Sequence, residues 1–167
     1  MKLRNIEEKD AIYMLEWMHD NNVNEFFSVN FKEKTLEDAL EFIENSNHNT
    51  NELNLAIVDN NDEYLGTISL KNIDYKNKNA EYAISIRTCA MGKGISKDAT
   101  SLLLDKAFNE LKLHKVYLCV ADDNIRAIKF YEKYGFNFEG KFEEHVYRKE
   151  QYHDLLWYSI INENEKL

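Results

Sequence analysis

Apolar positions along this chain switch repeatedly between a period of about 3.6 and a period of 2, and the switches delimit its elements. Residues 2–6 fit a short strand, and Glu8–Met18 follows with Ile12, Leu15, Trp17 and Met18 at helical spacing. A looser stretch, Asp20–Lys34, holds Val23, Phe26, Phe27, Val29 and Phe31. Thr35 then stands three residues before Asp38, an acidic variant of the capping box. Leu36, Ala39, Leu40, Phe42 and Ile43 give the helix that follows its apolar side. Strands come next. Leu53–Val58 and Tyr64–Lys71 flank the turn-rich Asp59–Glu63, which predicts a hairpin. In Asn79–Arg87, Ala80, Tyr82, Ile84 and Ile86 alternate against Glu81, Ser85 and Arg87, a third strand of the same meander.

Helical spacing returns with Ala99, Leu102, Leu103, Ala107, Phe108 and Leu111, and Lys115–Ala121 is a compact apolar strand after it. Strand, helix and strand in that order predict a right-handed parallel crossover. Asp122-Asp123-Asn124 can cap a helix running to Tyr134, with Gly135 as its C-cap. Phe136–Tyr147 and Gln151–Ile161 read as two long closing strands around Arg148-Lys149-Glu150. The expected fold is α+β: an antiparallel N-terminal meander, one central parallel crossover and a C-terminal antiparallel hairpin in one mixed sheet, with helices on both faces.

Length and composition narrow the class. A chain of 167 residues, 44% of them hydrophobic, fits one domain spanning 1–167 that buries roughly 70% of its unfolded surface. No apolar run approaches the ~18 residues a membrane span needs, and the N-terminus turns acidic at Glu7-Glu8, too early for a signal peptide. Cys89 and Cys119 make no disulfide framework. Together these features predict a reducing cytoplasmic setting and no membrane partner. Residues 1–65 carry a net charge of −10 and residues 66–167 a net of +1. That balance argues against nucleic acid as a partner. It suits either two ligands of opposite charge or solubility alone. The five histidines show no paired ligand spacing, so no metal is expected.

Two of only five glycines sit in Met91-Gly92-Lys93-Gly94-Ile95-Ser96, between the alternating strand and the long helical pattern. Glycine lets backbone approach a ligand closely, and the first-turn N–H groups of a helix lack internal partners. A phosphate or pyrophosphate suits such a turn, with Lys93 and Lys97 adding positive charge; a plain strand-to-helix turn fits the same residues. A dinucleotide-binding loop is disfavoured because Lys97 replaces the third small residue, and no Gly-Lys-Ser/Thr follows for a P-loop.

The run Asn124-Ile125-Arg126-Ala127-Ile128-Lys129-Phe130-Tyr131-Glu132-Lys133-Tyr134-Gly135-Phe136, about 30 residues after the glycine loop, completes a second motif. Together the two resemble the GNAT superfamily of acyl-CoA-dependent N-acetyltransferases, whose N-x-x-A-x-x-F-Y-x-K-x-G-F pattern is matched at every anchor. Leu3-Arg4, Leu15-Glu16-Trp17, Tyr147-Arg148-Lys149 and Tyr152-His153-Asp154 resemble the Rim-type branch, which includes acetyltransferases of ribosomal-protein N-termini. The resemblance implies direct acetyl transfer from acetyl-CoA to a primary amine, either a small molecule or a protein N-terminus, with a homodimer as the assembly. A noncatalytic acyl-CoA-binding module of the same fold is the alternative. It implies cofactor contacts from Ile86, Arg87, Met91, Gly92, Lys93, Gly94, Ile95, Ser96 and Asn124. Met91 and Ser96 depart from the usual Arg/Gln-x-x-Gly-x-Gly/Ala, so a side-chain phosphate contact from position 91 is not expected.

Tyr131 is implied as the acid that protonates the departing CoA sulfur, although Ile125, Ile128 and Tyr131 also read as a core stripe. Glu81 is implied as the base acting on the amine, directly or through water, and it also reads as a solvated strand carboxylate. Asn124 serves either the cofactor or its helix cap. Residues 1–65 are expected to wall the acceptor, with Glu16, Asp20 and Glu25 drawing a cationic amine. His145 and His153 fall in the closing strands, which the resemblance places beside that cleft; such histidines more often read as surface or hydrogen-bonded strand residues.

Overall fold

The computed structural model describes residues 1–27 and 29–163. Strand β1 (Lys2–Asn5) leads through a 3-10 turn to helix α1 (Ala11–His19), the single turn α2 (Asn21–Asn24) and α3 (Leu36–His48). Then come β2 (Leu53–Val58), β3 (Tyr64–Asp74), β4 (Asn79–Ile86), α4 (Ile95–Asp105), β5 (Lys115–Ala121), α5 (Ile125–Tyr134), β6 (Asn137–Arg148) and β7 (Gln151–Ile161). The strands form a seven-stranded sheet in the order β1-β2-β3-β4-β5-β7-β6. Among the described residues only β4 and β5 pair in parallel, joined by the predicted crossover through α4.

Period-2 alternation places the core on both faces. From β2, Leu55 and Ile57 join a cluster with Leu103, Leu118 and Phe136 under α4 and α5. Their neighbours Ala56 and Val58 join Met14, Trp17 and Ile43 under α1 and α3. Local caps end the helices as read: Thr35 and Asp38 form a reciprocal capping box, Asn124 caps α5, and Gly135 closes it at φ +113°. The long helical pattern to Leu111 is not all α-helix. It passes at Lys106 into a π turn, closed by the Leu111 N–H donating to the Lys106 carbonyl at 3.0 Å. The widened turn keeps Ala107 buried against the sheet.

One departure from ideal pairing shapes the molecule. The β4–β5 register runs only through Asn79–Lys115, Ala80–Val116 and Glu81–Tyr117. Beyond Glu81 the strands diverge, so their facing backbone edges have no strand partner, although β4 stays paired to β3 and β5 to β7. Buried backbone groups need acceptors and donors. An extended ligand laid between the two edges can supply them.

Candidate active site

The divergence opens a cleft of about 550 Å³ walled by β4, β5, the starts of α4 and α5, and Val23, Phe26 and Phe27. The glycine turn lies at one side. Gly92 and Gly94 have φ of +74° and +79°, values that L side chains adopt only with strain. Gly94 is the N-cap of α4, and Lys97 and Asp98 donate back to its carbonyl. The N–H groups of residues 92–96 have no backbone acceptor among the described residues. Five consecutive N–H groups without a backbone acceptor at the positive end of an 11-residue helix have the geometry that suits an anion. Met91, Gly92 and Ser96 line the cleft beside Ile86.

Asn124 resolves an either-or. Its Oδ1 accepts the Ala127 N–H at 3.2 Å as the α5 cap, while the residue also lines the cleft. Capping uses only the carbonyl end of the amide, which leaves the NH₂ end for a ligand.

Arg87 is placed elsewhere. It is 8% exposed and absent from the cleft wall. Its guanidinium donates to Glu16 at 3.1 and 2.8 Å, to Glu63 at 3.0 Å and to the Tyr64 carbonyl at 2.9 Å. It also lies 4.6 Å from the Tyr13 ring centroid. This side chain makes four hydrogen bonds and so fastens α1 to the end of β4.

Tyr131 is 9% exposed, held among Tyr82, Phe130 and Phe136 at ring-centroid distances of 6.0, 5.4 and 5.6 Å. It lines the cleft, and its hydroxyl makes no hydrogen bond to another described residue. Burial, with a smaller contribution from Cys119, pushes this phenol above its ordinary range. It therefore stays protonated through neutral and mildly alkaline pH.

Glu81 faces the cleft near where β4 and β5 part. A bulge between β3 and β4 puts Asn72 at φ +50° and lets its amide donate to Glu81 at 2.9 Å. Across the gap, the Cys119 thiol donates to the other Glu81 oxygen at 3.8 Å. Burial and the Glu81 charge push that thiol up to about 11. Neither Asn72 nor Cys119 was legible as a partner, because a bulge and a parallel register are not written in local spacing.

The three carboxylates expected to draw a cation each have a partner within the protein. Glu16 pairs with Arg87, Glu25 with Lys149 at 3.2 Å, and Asp20 accepts from Thr88 and caps α2. None of the three lines the cleft; Val23, Phe26 and Phe27 supply its N-terminal wall. His153 bonds Asp122 at 3.1 Å, and Asp123 binds Arg148 at 2.5 Å. His145 packs edge-on to Phe142. Neither histidine is on the cleft wall.

Comparison with known proteins assigns the fold to a class. Residues 1–137 match the acetyltransferase (GNAT) domain family, and the chain belongs to that family. It is 32% identical to a spermidine N(1)-acetyltransferase of Vibrio cholerae over 93% of this chain and 89% of that protein. It is 38% identical to a putative ribosomal N-acetyltransferase of Bacillus subtilis over 58% of this chain and 52% of the other. The crystal structure of the Vibrio cholerae spermidine N-acetyltransferase with CoA and spermine superposes with a TM-score of 0.88 at 27% identity, covering 96% and 94% of the two chains. This chain is accordingly an N-acetyltransferase that takes its acetyl group from acetyl-CoA and passes it to an amine. No helix among the described residues is long and apolar enough to cross a membrane.

Proposed function

We propose that the acceptor is a small polycationic amine of the polyamine class, acetylated directly at a primary amine held between Glu81 and Tyr131. The observation that carries this reading is the shared cleft. One carboxylate and one buried, protonated phenol flank the gap where the sheet offers unpaired backbone to an extended cofactor. Similarity to spermidine acetyltransferases over nearly the whole chain supports the acceptor class, since it includes the acceptor wall at Val23, Phe26 and Phe27. The ribosomal relative matches only 58% of the chain.

Each residue then has a defined task. A primary amine is mostly protonated at neutral pH, and Glu81 accepts its proton directly or through one water. The free amine attacks the thioester carbon, and the C–S bond breaks. Tyr131 gives its proton to the leaving sulfur and regains one from the nitrogen, which sheds a proton as it becomes the amide. The N–H groups of residues 92–96 hold the cofactor's pyrophosphate, and Asn124 contacts its arm.

The test is a panel of spermidine, spermine, an aminoglycoside and a peptide with a free N-terminus, read by free-thiol release and product mass. Polyamines should turn over with the highest kcat/KM. A preference for the peptide would overturn the acceptor class. A further outcome concerns Glu81→Gln, which keeps shape and removes the base. Its kcat/KM for spermidine should fall by roughly 10²-fold near neutral pH. The deficit should shrink toward pH 10, where the amine supplies its own neutral form while Tyr131 remains protonated. A deficit constant across that range would point to damaged binding instead of a lost base.

A further inference from the structure

Glu81 is gripped from the strands on either side of it, and one grip depends on an irregularity in β3. The β3–β4 register sets Lys71 opposite Glu81 and resumes only at Asp74 opposite Asn79. Three steps along β3 thus match two along β4, the one-residue excess of a β-bulge. In an unbroken ladder Asn72 would face away from Glu81, because neighbouring side chains alternate across a strand. The bulge turns it back, at φ +50°, a conformation asparagine tolerates better than most residues. Its amide then donates to Glu81 Oε2 at 2.9 Å. The other oxygen, Oε1, faces the Cys119 thiol at 3.8 Å, a long contact from a weak donor.

We infer that Asn72 is a positioning residue for acetyl transfer: it clamps one oxygen of Glu81 and so presents the other to the acceptor amine. The inference deepens the proposed function, since it rests on Glu81 as the base. Lys71 and Glu81 line the cleft and Asn72 does not, so the amide acts through the carboxylate. A neutral clamp fixes the carboxylate plane without cancelling the charge that attracts an ammonium. A lysine in its place would weaken the base and repel a cationic acceptor. Oε1, held only by the thiol, is the oxygen an incoming N–H reaches at least cost. The titratable groups that face Glu81 are Lys71 from β3, and Tyr117 and Cys119 from β5. Burial raises both the phenol and the thiol, so neither gains a charge at neutral pH.

The experiment compares Asn72→Gly, Glu81→Gln and the double variant in kcat/KM for spermidine between about pH 6 and pH 10, with CoA affinity measured by calorimetry. Glycine adopts positive φ without strain, so the melting temperature should hold or rise while the donor is lost. Near neutral pH kcat/KM should fall about fivefold to tenfold, mostly in kcat, with the Kd for CoA unchanged. The deficit should shrink toward pH 10. The acidic limb of the profile should move to higher pH, because a carboxylate that loses a donor holds its proton more tightly. Asn72→Asp keeps the size, sets a second carboxylate beside Glu81 and should move that limb further. In the Glu81→Gln background the glycine should cost nothing more. An equal loss in both backgrounds would overturn the inference and leave Asn72 a structural role, and so would wild-type kcat/KM in a folded Asn72→Gly. If Glu81→Gln itself lacked a pH-dependent deficit, the base assignment would fail. A normal Glu81→Gln deficit beside a silent Asn72→Gly would remove only the clamp.

Discussion

Replacing Gly94 by valine is expected to weaken CoA binding by about a hundredfold or more while the chain remains folded. Gly94 sits at φ +79° as the N-cap of α4, and a Cβ built there meets no protein atom within 4 Å. The substitution therefore creates no clash inside the protein. Its cost is backbone strain of about 1–3 kcal/mol, well within the stability of an ordinary domain. The loop relieves that strain by turning away from positive φ, which swings the neighbouring N–H groups off the phosphate position. The branched side chain would also stand in the approach to the proposed pyrophosphate position. Each charge-assisted bond contributes about 1.5–3 kcal/mol, so losing two suffices for a hundredfold change. Gly94→Ala shares the strain with a smaller obstruction and should fall between wild type and valine. Calorimetry on variants with a cooperative thermal transition checks the expectation. Unchanged affinity in folded Gly94→Val would remove the cofactor's phosphates from this loop.

Why this loop was readable while its surroundings were not follows from which interactions are local. The glycines, the caps at Thr35, Asn124 and Gly135, and the apolar runs of β5 and β7 depend on neighbours within a few residues. Such patterns survive in one sequence. Arg87 looked like a polar-face residue near the cofactor loop, yet that face is covered by α1, and Glu16 lies 71 positions away in the chain. The carboxylates expected to draw a cation have partners that local spacing does not show: Glu16 meets Arg87 and Glu25 meets Lys149, both far along the chain. The bulge that brings Asn72 to Glu81 and the splay between β4 and β5 are properties of strand pairing. Period-2 alternation reports which face a residue takes but not where two strands part. The His153 link to Asp122 across β5 and β7 escaped notice likewise, since ligand spacing was sought along the chain.

Tyr131→Phe is expected to lower kcat by roughly 10²–10⁴-fold while acetyl-CoA affinity and stability stay close to wild type. The ring is fixed by Tyr82, Phe130 and Phe136, and phenylalanine preserves those contacts. The hydroxyl has no hydrogen-bond partner among the described residues, so its removal orphans nothing and can be neutral for folding. A phenol raised above its ordinary range looks too weak an acid for a thiolate. The cleft answers this, because desolvation acts on sulfur as well. Cys119, a thiol on the same wall, is pushed up to about 11 against an ordinary value of 9.0. Burial acts in the same direction on a CoA thiolate released into that environment, which narrows its gap to Tyr131. The loss should consequently depend on the leaving group. With a thioester whose thiol is much more acidic, Tyr131→Phe should recover most of the lost rate. A kcat within a few-fold of wild type on acetyl-CoA would return Tyr131 to the role of a packed core aromatic. A uniform loss across leaving groups would assign its hydroxyl to binding the thioester instead of protonating the sulfur.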